Sequence, residues 1–470
     1  MKQIFSAISA ISALSVMSAA IGLATAGAAS AASMSASMSA SMPASAPVQH
    51  VLLVSVDGLH GNDLANFIDA HPASTLAALA KQGIDYRNAH TVAPADSFPG
   101  LLALVTGGTP AVTGVYYDVT YDRKLSPPGS DCRLTGTRAH YDESVDKPGA
   151  DGHPTIDPAK LPRNPQHDCA AVYPHDYLRV NTVFEAVHDA GGYTAWIDKH
   201  PVYELVEGPS GHGVDDLFLP EIGGDYEGAG RALAHGVTGS LARTEAYDDM
   251  KAQAVINEMD GLTHDGKGPA PVPNVFGLNL QAVNVAQKLY GYRNAKADLT
   301  PGVDGAIGHV DQILGRFMHE LDRRGLRDNT LVIVTAKHGN GPLDPALLHK
   351  IDTQRLTDTI ERAAPGTLAQ LTVDHGALVW LRDPSAAPAV ARALRAQAPA
   401  LGIAQVLSGE ALARRFPSPA EDSRTPDLIV ITRDGVIYTK PGDGKLAEHG
   451  GFHDDDTAVA LLISSPHLSG

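Results

Sequence analysis

The segment Gly308 to Gly339, GHVDQILGRFMHELDRRGLRDNTLVIVTAKHG, constrains the fold more than any other part of the chain. Val310, Ile313, Leu314, Phe317 and Leu321 share one helical face, Gly325 supplies a stop, and an apolar strand begins at Thr330. Similar elements recur. HVLLVSVDGLH reads as a buried strand ending at Asp57-Gly58, and PASTLAALAKQG as a helix with Ser74 or Thr75 as cap and Gly83 as stop. NTVFEAVHDAGG reads as a helix, and YTAWID, TPDLIVIT and TAVALLIS as strands. Strands alternating with helices over this length predict an α/β three-layer sandwich with a largely parallel central sheet. Reactive side chains in such sheets gather at the carboxyl ends of strands, where Asp57 and His338 both fall.

The first 32 residues have Lys2, an Ala/Ile/Leu run and small residues in A-x-A-like spacing, the pattern of a secretory signal cleaved near Ala26 to Ala32. Residues 33–47 are a repetitive Ser/Met/Ala spacer. The folded domain is expected over 48–468, with a Pro-, Gly-, Asp- and His-rich insert at about 117–176. Cys132 and Cys169 are an even count in a chain that reads as exported, so a disulfide across the insert is the simplest expectation. Export implies a periplasmic or secreted protein with no membrane contact after signal cleavage. The formal charge of −17 argues against nucleic acid or an anionic membrane as partner. An anionic substrate must therefore be held by a local site of metal, lysine or helix N-terminus.

Four pieces carry candidate chemistry: VSVDG with Asp57, PADSFPGLLALVTGG with Ser97, TAKHGNGP with Lys337 and His338, and AEHGGFHDDD with His449, His453 and Asp454. Each also has a plain structural reading. Asp57 could be a turn residue, Ser97 a helix cap ahead of Pro99, and the His-Gly pairs simple turns in solvated loops. Their joint occurrence in this order outweighs those readings.

A strand ending in Asp-Gly, a Ser-Phe-Pro that opens a helix, a strand ending in x-His-Gly and a late His-Gly together resemble the alkaline phosphatase superfamily, in particular its type I phosphodiesterase/nucleotide pyrophosphatase branch. The resemblance runs from about Val51 to Ser465 and is strongest over Val51 to Asp118. It implies an alkaline-phosphatase-like fold with an inserted cap, and hydrolysis of phosphodiesters or related small anionic esters. Such esters resist attack because their oxygens repel a nucleophile and their leaving alkoxide is poor. Two cations about 4 Å apart stabilise both the attacking and the leaving oxygen. A hydroxyl at a helix N-terminus gains backbone N–H groups for the phosphoryl oxygens. By resemblance Ser97 is the nucleophile, Asp57, Ser97, His338 and His449 are metal ligands, and one or two divalent ions, zinc foremost, are the cofactor. Gly100, Gln281, Gln287 and His453 fall beside these positions and are expected around the substrate.

Three departures qualify this. The carboxylate that should precede His338 is Lys337, and FGLNLQAVNVAQKLYGY lacks the Asp-x-x-x-His expected for a second metal, with Gln281 and Gln287 the nearest polar groups. Neutral amides are poor zinc ligands. The family's Asn after Phe-Pro is Gly100. Three readings follow. Lys337 replaces a cation and assists catalysis as a fixed positive charge; the site binds an anionic ligand without turnover; or other groups, Asp198 and His200 or Asp374 and His375, restore a two-metal site.

Overall fold

In the computed structural model, which describes residues 48–149, 153–223 and 236–468, the expected strands assemble into a seven-stranded central sheet. Its strands in chain order are β1 (His50–Val56), β2 (Gly83–Asp85), β3 (Ala195–Ile197), β4 (Asp216–Phe218), β5 (Val275–Leu280) and β6 (Thr330–Thr335), with the late strand Leu461–Ser464 completing it. The spatial order is β4-β3-β5-β1-β6, then Leu461–Ser464, then β2. β1 pairs in parallel with β5 (Ser55 opposite Asn279) and with β6 (Ser55 opposite Thr335), so the ends of these three strands lie level. β3 joins β5 in parallel at Leu278 and Ile197. Only Leu461–Ser464 runs against the rest. β5 is buried along its whole length, as a strand covered on both faces must be.

Helices supply the two covers. On one face Leu52, Val54 and Val56 pack with α1 (Gly61–Ala70), α2 (Thr75–Gln82) and, further along the chain, Ala252 and Val255 of the helix Leu241–Met259 and Val310, Ile313 and Phe317 of the helix Pro301–Arg324. On the other, Leu53 and Val275 pack with Phe98, Leu101 and Leu102 of α3 (Ser97–Thr106) and with residues of the insert such as Leu125, Tyr141 and Leu161. This is the expected three-layer sandwich. Ser74 caps α2 by accepting from Ala77 N, and Gly325 closes the helix Pro301–Arg324 at φ 67°, where a side chain would be strained.

The insert is built from short antiparallel pairs and is closed by a disulfide between Cys132 and Cys169. A second, four-stranded antiparallel sheet was not legible in the sequence. It comprises β7 (Leu368–Val373), β8 (Gly376–Leu381), β9 (Ile403–Ser408) and β10 (Leu428–Thr432), in the order β7-β8-β10-β9. TPDLIVIT is β10 and so belongs here, because local periodicity does not say which sheet a strand joins. Leu461–Ser464 is β11. The signal and spacer expectations for residues 1–47 lie outside the described residues.

Candidate active site

Four strands of the parallel sheet deliver a polar residue just past their last apolar position. Asp57 follows β1, Asp198 and Lys199 follow β3, Gln281 follows β5, and Lys337 and His338 stand two and three residues past β6. Because β3, β5, β1 and β6 are neighbours in one register, these side chains meet at one edge.

Ser97 comes to them from α3. Its hydroxyl is not the helix cap: Asp96 is, accepting from Phe98 N at 3.0 Å, which leaves Ser97 Oγ free. The first turn of α3 presses on the backbone past β6. A Cβ on Gly100 would lie 2.0 Å from the carbonyl oxygen of Lys337, so a glycine is required there and an asparagine is excluded. Gly100 thus sets the position of α3 through its lack of a side chain.

Around Ser97 the hydrogen bonds form a directed chain. Lys199 Nζ donates to Asp57 Oδ2 (2.9 Å), Ser97 Oγ (3.2 Å) and Gln281 Oε1 (3.4 Å), which uses all three ammonium protons. Gln281 Nε2 donates to the same Asp57 oxygen. Ser97 Oγ lies 3.1 Å from His338 Nε2, whose ring is 0 % exposed. Burial opposes a charge on Asp57, yet Lys199 and Lys337, helped by the Gln281 amide, hold its carboxyl well below the usual range. Lys199 shows the reciprocal effect: burial disfavours the ammonium, and Asp57 and Asp198 more than compensate and raise its pKa. His338 is driven well below its usual value by burial and then by the neighbouring His449 charge.

His449 stacks on His338 with ring centres 3.9 Å apart and planes 8° from parallel. Burial works against protonation, but Asp96 Oδ1 at 3.5 Å from Nε2 and Glu448 Oε1 at 3.0 Å from Nδ1 push its pKa up to about 9. It is a cation. Ser97, Lys199 and His449 form the partly open side of the group, and Asp57, His338 and Lys337 its sealed side.

Lys337 is placed differently from the expectation. Its Nζ donates to both oxygens of Asp198 (3.0 and 2.9 Å) and faces the Tyr203 ring at 4.2 Å, with no hydrogen bond to Ser97 among the described residues. Lys199, which sequence reasoning passed over, is the ammonium at the serine. The third sequence reading is corrected by the partners of its residues. Asp198 is held by Lys337 and Trp196 Nε1, His200 by Glu221, Asp374 by the Tyr117 hydroxyl and His375 by Asp456. Gln287 lies in a neighbouring buried network, donating to Gly58 O and Asp63, and His453 pairs with the Thr432 carbonyl and Asp434. Neither is brought to Ser97.

The ligand set that the resemblance implies does not fit a metal here. An ion shared by Asp57, Ser97 and His338 would need the space that Lys199 Nζ fills. Within that ligand set Asp57 Oδ1 alone is a carboxylate oxygen without a hydrogen-bond partner, against the four ligands a zinc ion takes. His449 is engaged by carboxylates as a cation. Among the described residues no three His, Cys, Asp or Glu side chains group to hold an ion.

Comparison with known proteins agrees with the fold and fixes the family. The family model for type I phosphodiesterase / nucleotide pyrophosphatase matches residues 51–456. Murine ectonucleotide pyrophosphatase / phosphodiesterase 5 is 16 % identical over 89 % of this chain and 88 % of its own, with a TM-score of 0.56. Phosphonoacetate hydrolase from Sinorhizobium meliloti 1021, solved with phosphonoacetate, is 19 % identical over 90 % and 92 %, TM-score 0.53. A mutant of alkaline phosphatase PafA is 14 % identical over 90 % and 92 %, TM-score 0.58. No curated protein sequence matches the chain. Members of the alkaline phosphatase superfamily use divalent metals, generally zinc. The chain belongs to the type I phosphodiesterase / nucleotide pyrophosphatase family of ester-bond hydrolases.

Proposed function

We propose that the protein is an exported hydrolase of phosphodiesters or related small anionic esters, acting through Ser97 as nucleophile. The observation that carries this is the setting of one hydroxyl. Ser97 Oγ stands at the N-terminus of α3, relieved of capping by Asp96, between an ammonium at 3.2 Å and an imidazole at 3.1 Å. Backbone N–H groups of the first turn and Lys199 would receive the phosphoryl oxygens, a fixed charge arrangement that favours the more highly charged transition state. Lys337 serves as a positioning residue: it holds Asp198 and lowers the pKa of Asp57, and through Asp57 it fixes Lys199.

The chemistry of the substrate follows from the site. Lys199 and the His449 imidazolium line its open side, so an anion is attracted locally although the chain as a whole is acidic. Similar structures carry AMP, phosphonoformate and phosphonoacetate, small anions of the same kind. Gln281 is the expected substrate-side residue that touches the Ser97 group; Gln287 and His453 would act from outside it. Export rests on the leader pattern, and no described helix is long and apolar enough to cross a membrane. A zinc ion on Asp57, Ser97, His338 and His449 would require Lys199 to leave, and no step is assigned to one.

The test is turnover of an aryl phosphodiester by the mature protein and by Ser97→Ala, with mass spectrometry of the trapped intermediate. Loss of turnover and of a phosphoryl adduct on the Ser97 peptide is expected, with a stability loss of about 1–3 kcal/mol from the hydrogen bonds to Lys199 and His338 rather than from the cap, which Asp96 supplies. Turnover that survives Ser97→Ala overturns the reading, and tight binding of the ester with no turnover by the native protein would make it a binding protein instead.

A further inference from the structure

A serine hydroxyl is a weak nucleophile until something takes its proton. In a metal site the cation lowers the hydroxyl pKa; here that space holds Lys199, whose three protons are all committed. An ammonium can stabilise the alkoxide but cannot receive its proton. The group that can is on the other side of the hydroxyl.

His338 Nδ1 lies 3.0 Å from the Gly339 carbonyl oxygen, which can only accept, so the ring proton is on Nδ1. Nε2 therefore carries a lone pair, and it points at Ser97 Oγ at 3.1 Å. The His449 ring stacks on His338 with centres 3.9 Å apart and holds its plane. Asp57 Oδ2, 4.0 Å from Nε2, faces the positive charge that appears when the proton arrives. A base oriented by one group and stabilised in its charged form by another is the arrangement of a serine–histidine hydrolase, reached on a different fold.

We propose that His338 is the general base for Ser97, with Lys199 as fixed cation, so that the serine is activated without a metal ion. This rests on the reading of Ser97 as nucleophile of an anionic ester hydrolase. In the first step the Oγ–H proton passes to His338 Nε2, the Oγ–P bond forms and the P–O bond to the leaving alcohol breaks. His338 hands that proton to the departing alkoxide, which leaves as the alcohol. In the second, an entering water gives a proton to His338 Nε2 as its oxygen attacks phosphorus, the P–Oγ bond breaks and the Ser97 oxygen takes that proton from His338. No oxidant or other co-reactant is needed.

The test uses bis(4-nitrophenyl) phosphate, full-length mature protein and four samples: native, native dialysed against a strong chelator, His338→Ala, and Ser97→Ala. The proposal expects native turnover to survive chelation within twofold, and His338→Ala to lose a hundredfold or more and recover at least tenfold with added imidazole. His338→Gln, closer in size, replaces His338→Ala if the latter does not fold, and the chelation arm needs no variant. Turnover that is lost on chelation and restored by zinc overturns the proposal while its dependence on Ser97 leaves the proposed function standing. A His338 variant within fivefold of native also overturns it. No native turnover and no labelling of Ser97 by a fluorophosphonate would overturn both.

Discussion

Replacing Lys199 by methionine tests the ammonium at Ser97 through two separate quantities. The substitution removes three hydrogen bonds and leaves Asp57, 0 % exposed, with the Gln281 amide as its hydrogen-bond donor and Lys337 as a more distant charge. Breaking a buried pair in this way costs about 3–5 kcal/mol. The loss has a ceiling, because Asp57 can protonate. At about 1.4 kcal/mol per pH unit above an ordinary carboxyl pKa of about 3.9, protonation costs about 5 kcal/mol at pH 7.5 and about 1.5 kcal/mol at pH 5. Lys199→Met should therefore lose about 3–5 kcal/mol at pH 7.5 and no more than about 1.5 kcal/mol at pH 5. Adding Asp57→Asn removes the stranded charge and should return the pH 7.5 value to within about 1 kcal/mol of native. Turnover should not return with it, since the cation facing the phosphoryl oxygens is still absent, a loss of about 10²–10³ in kcat. The assays are urea unfolding at the two pH values and kinetics on an aryl phosphodiester. A Lys199→Met loss that is equal at both pH values, or a double variant no more stable than the single, would refute the idea that Lys199 neutralises Asp57.

Other expectations are simpler to check. Gly100→Ala places a methyl 2.0 Å from the Lys337 carbonyl oxygen, so α3 must shift; a loss of about 1–3 kcal/mol in chemical denaturation is expected, with a fall in kcat from displacement of Ser97. Substituting both Cys132 and Cys169 by serine opens a link spanning 37 residues, worth up to about 4 kcal/mol by chain entropy, and should show first as faster proteolysis of the insert. Burial and the nearby Glu204 charge push the Glu207 carboxyl up to about 7, with His175 opposing. Its folded pKa is above its unfolded one, so its contribution is full below about pH 4.5 and is lost as pH rises through 7. Glu207→Gln should raise the melting temperature at pH 8 and leave it nearly unchanged at pH 4.5; an equal change at both values would show that this carboxyl does not titrate as described.

Much of this site was legible because its parts follow strand ends. Asp57 and His338 each come at or just past the end of a mostly apolar strand, and Ser97 precedes a Pro and an apolar helix, so local pattern finds all three. Lys199 was hidden by the same logic. A lysine after the three-residue strand AWI reads as a solvent-facing turn, and it becomes a site residue only because β3 pairs with β5, two strands from β6, which the sequence does not state. The signal that could have found it was positional: WIDK repeats the placement of VSVD, a carboxylate emerging at the end of a strand in a parallel sheet. Lys337 misled for the converse reason. Its adjacency to His338 in sequence made it look like the cation at Ser97, while side chains of neighbouring residues point apart and Lys337 turns to Asp198. The second sheet escaped because β7 to β10 pair with one another through residues up to 55 apart in the chain, and a strand pattern carries no record of its partner.

The claim on which the rest depends is that an ammonium, not a metal ion, stands between Asp57 and Ser97. Its most direct test is the number of metal atoms per chain, counted by elemental analysis on a sample of mature protein whose active sites have been titrated at Ser97. The account predicts full turnover with well under one atom per chain. One or two zinc atoms per active site, with turnover rising in proportion to them, would contradict it.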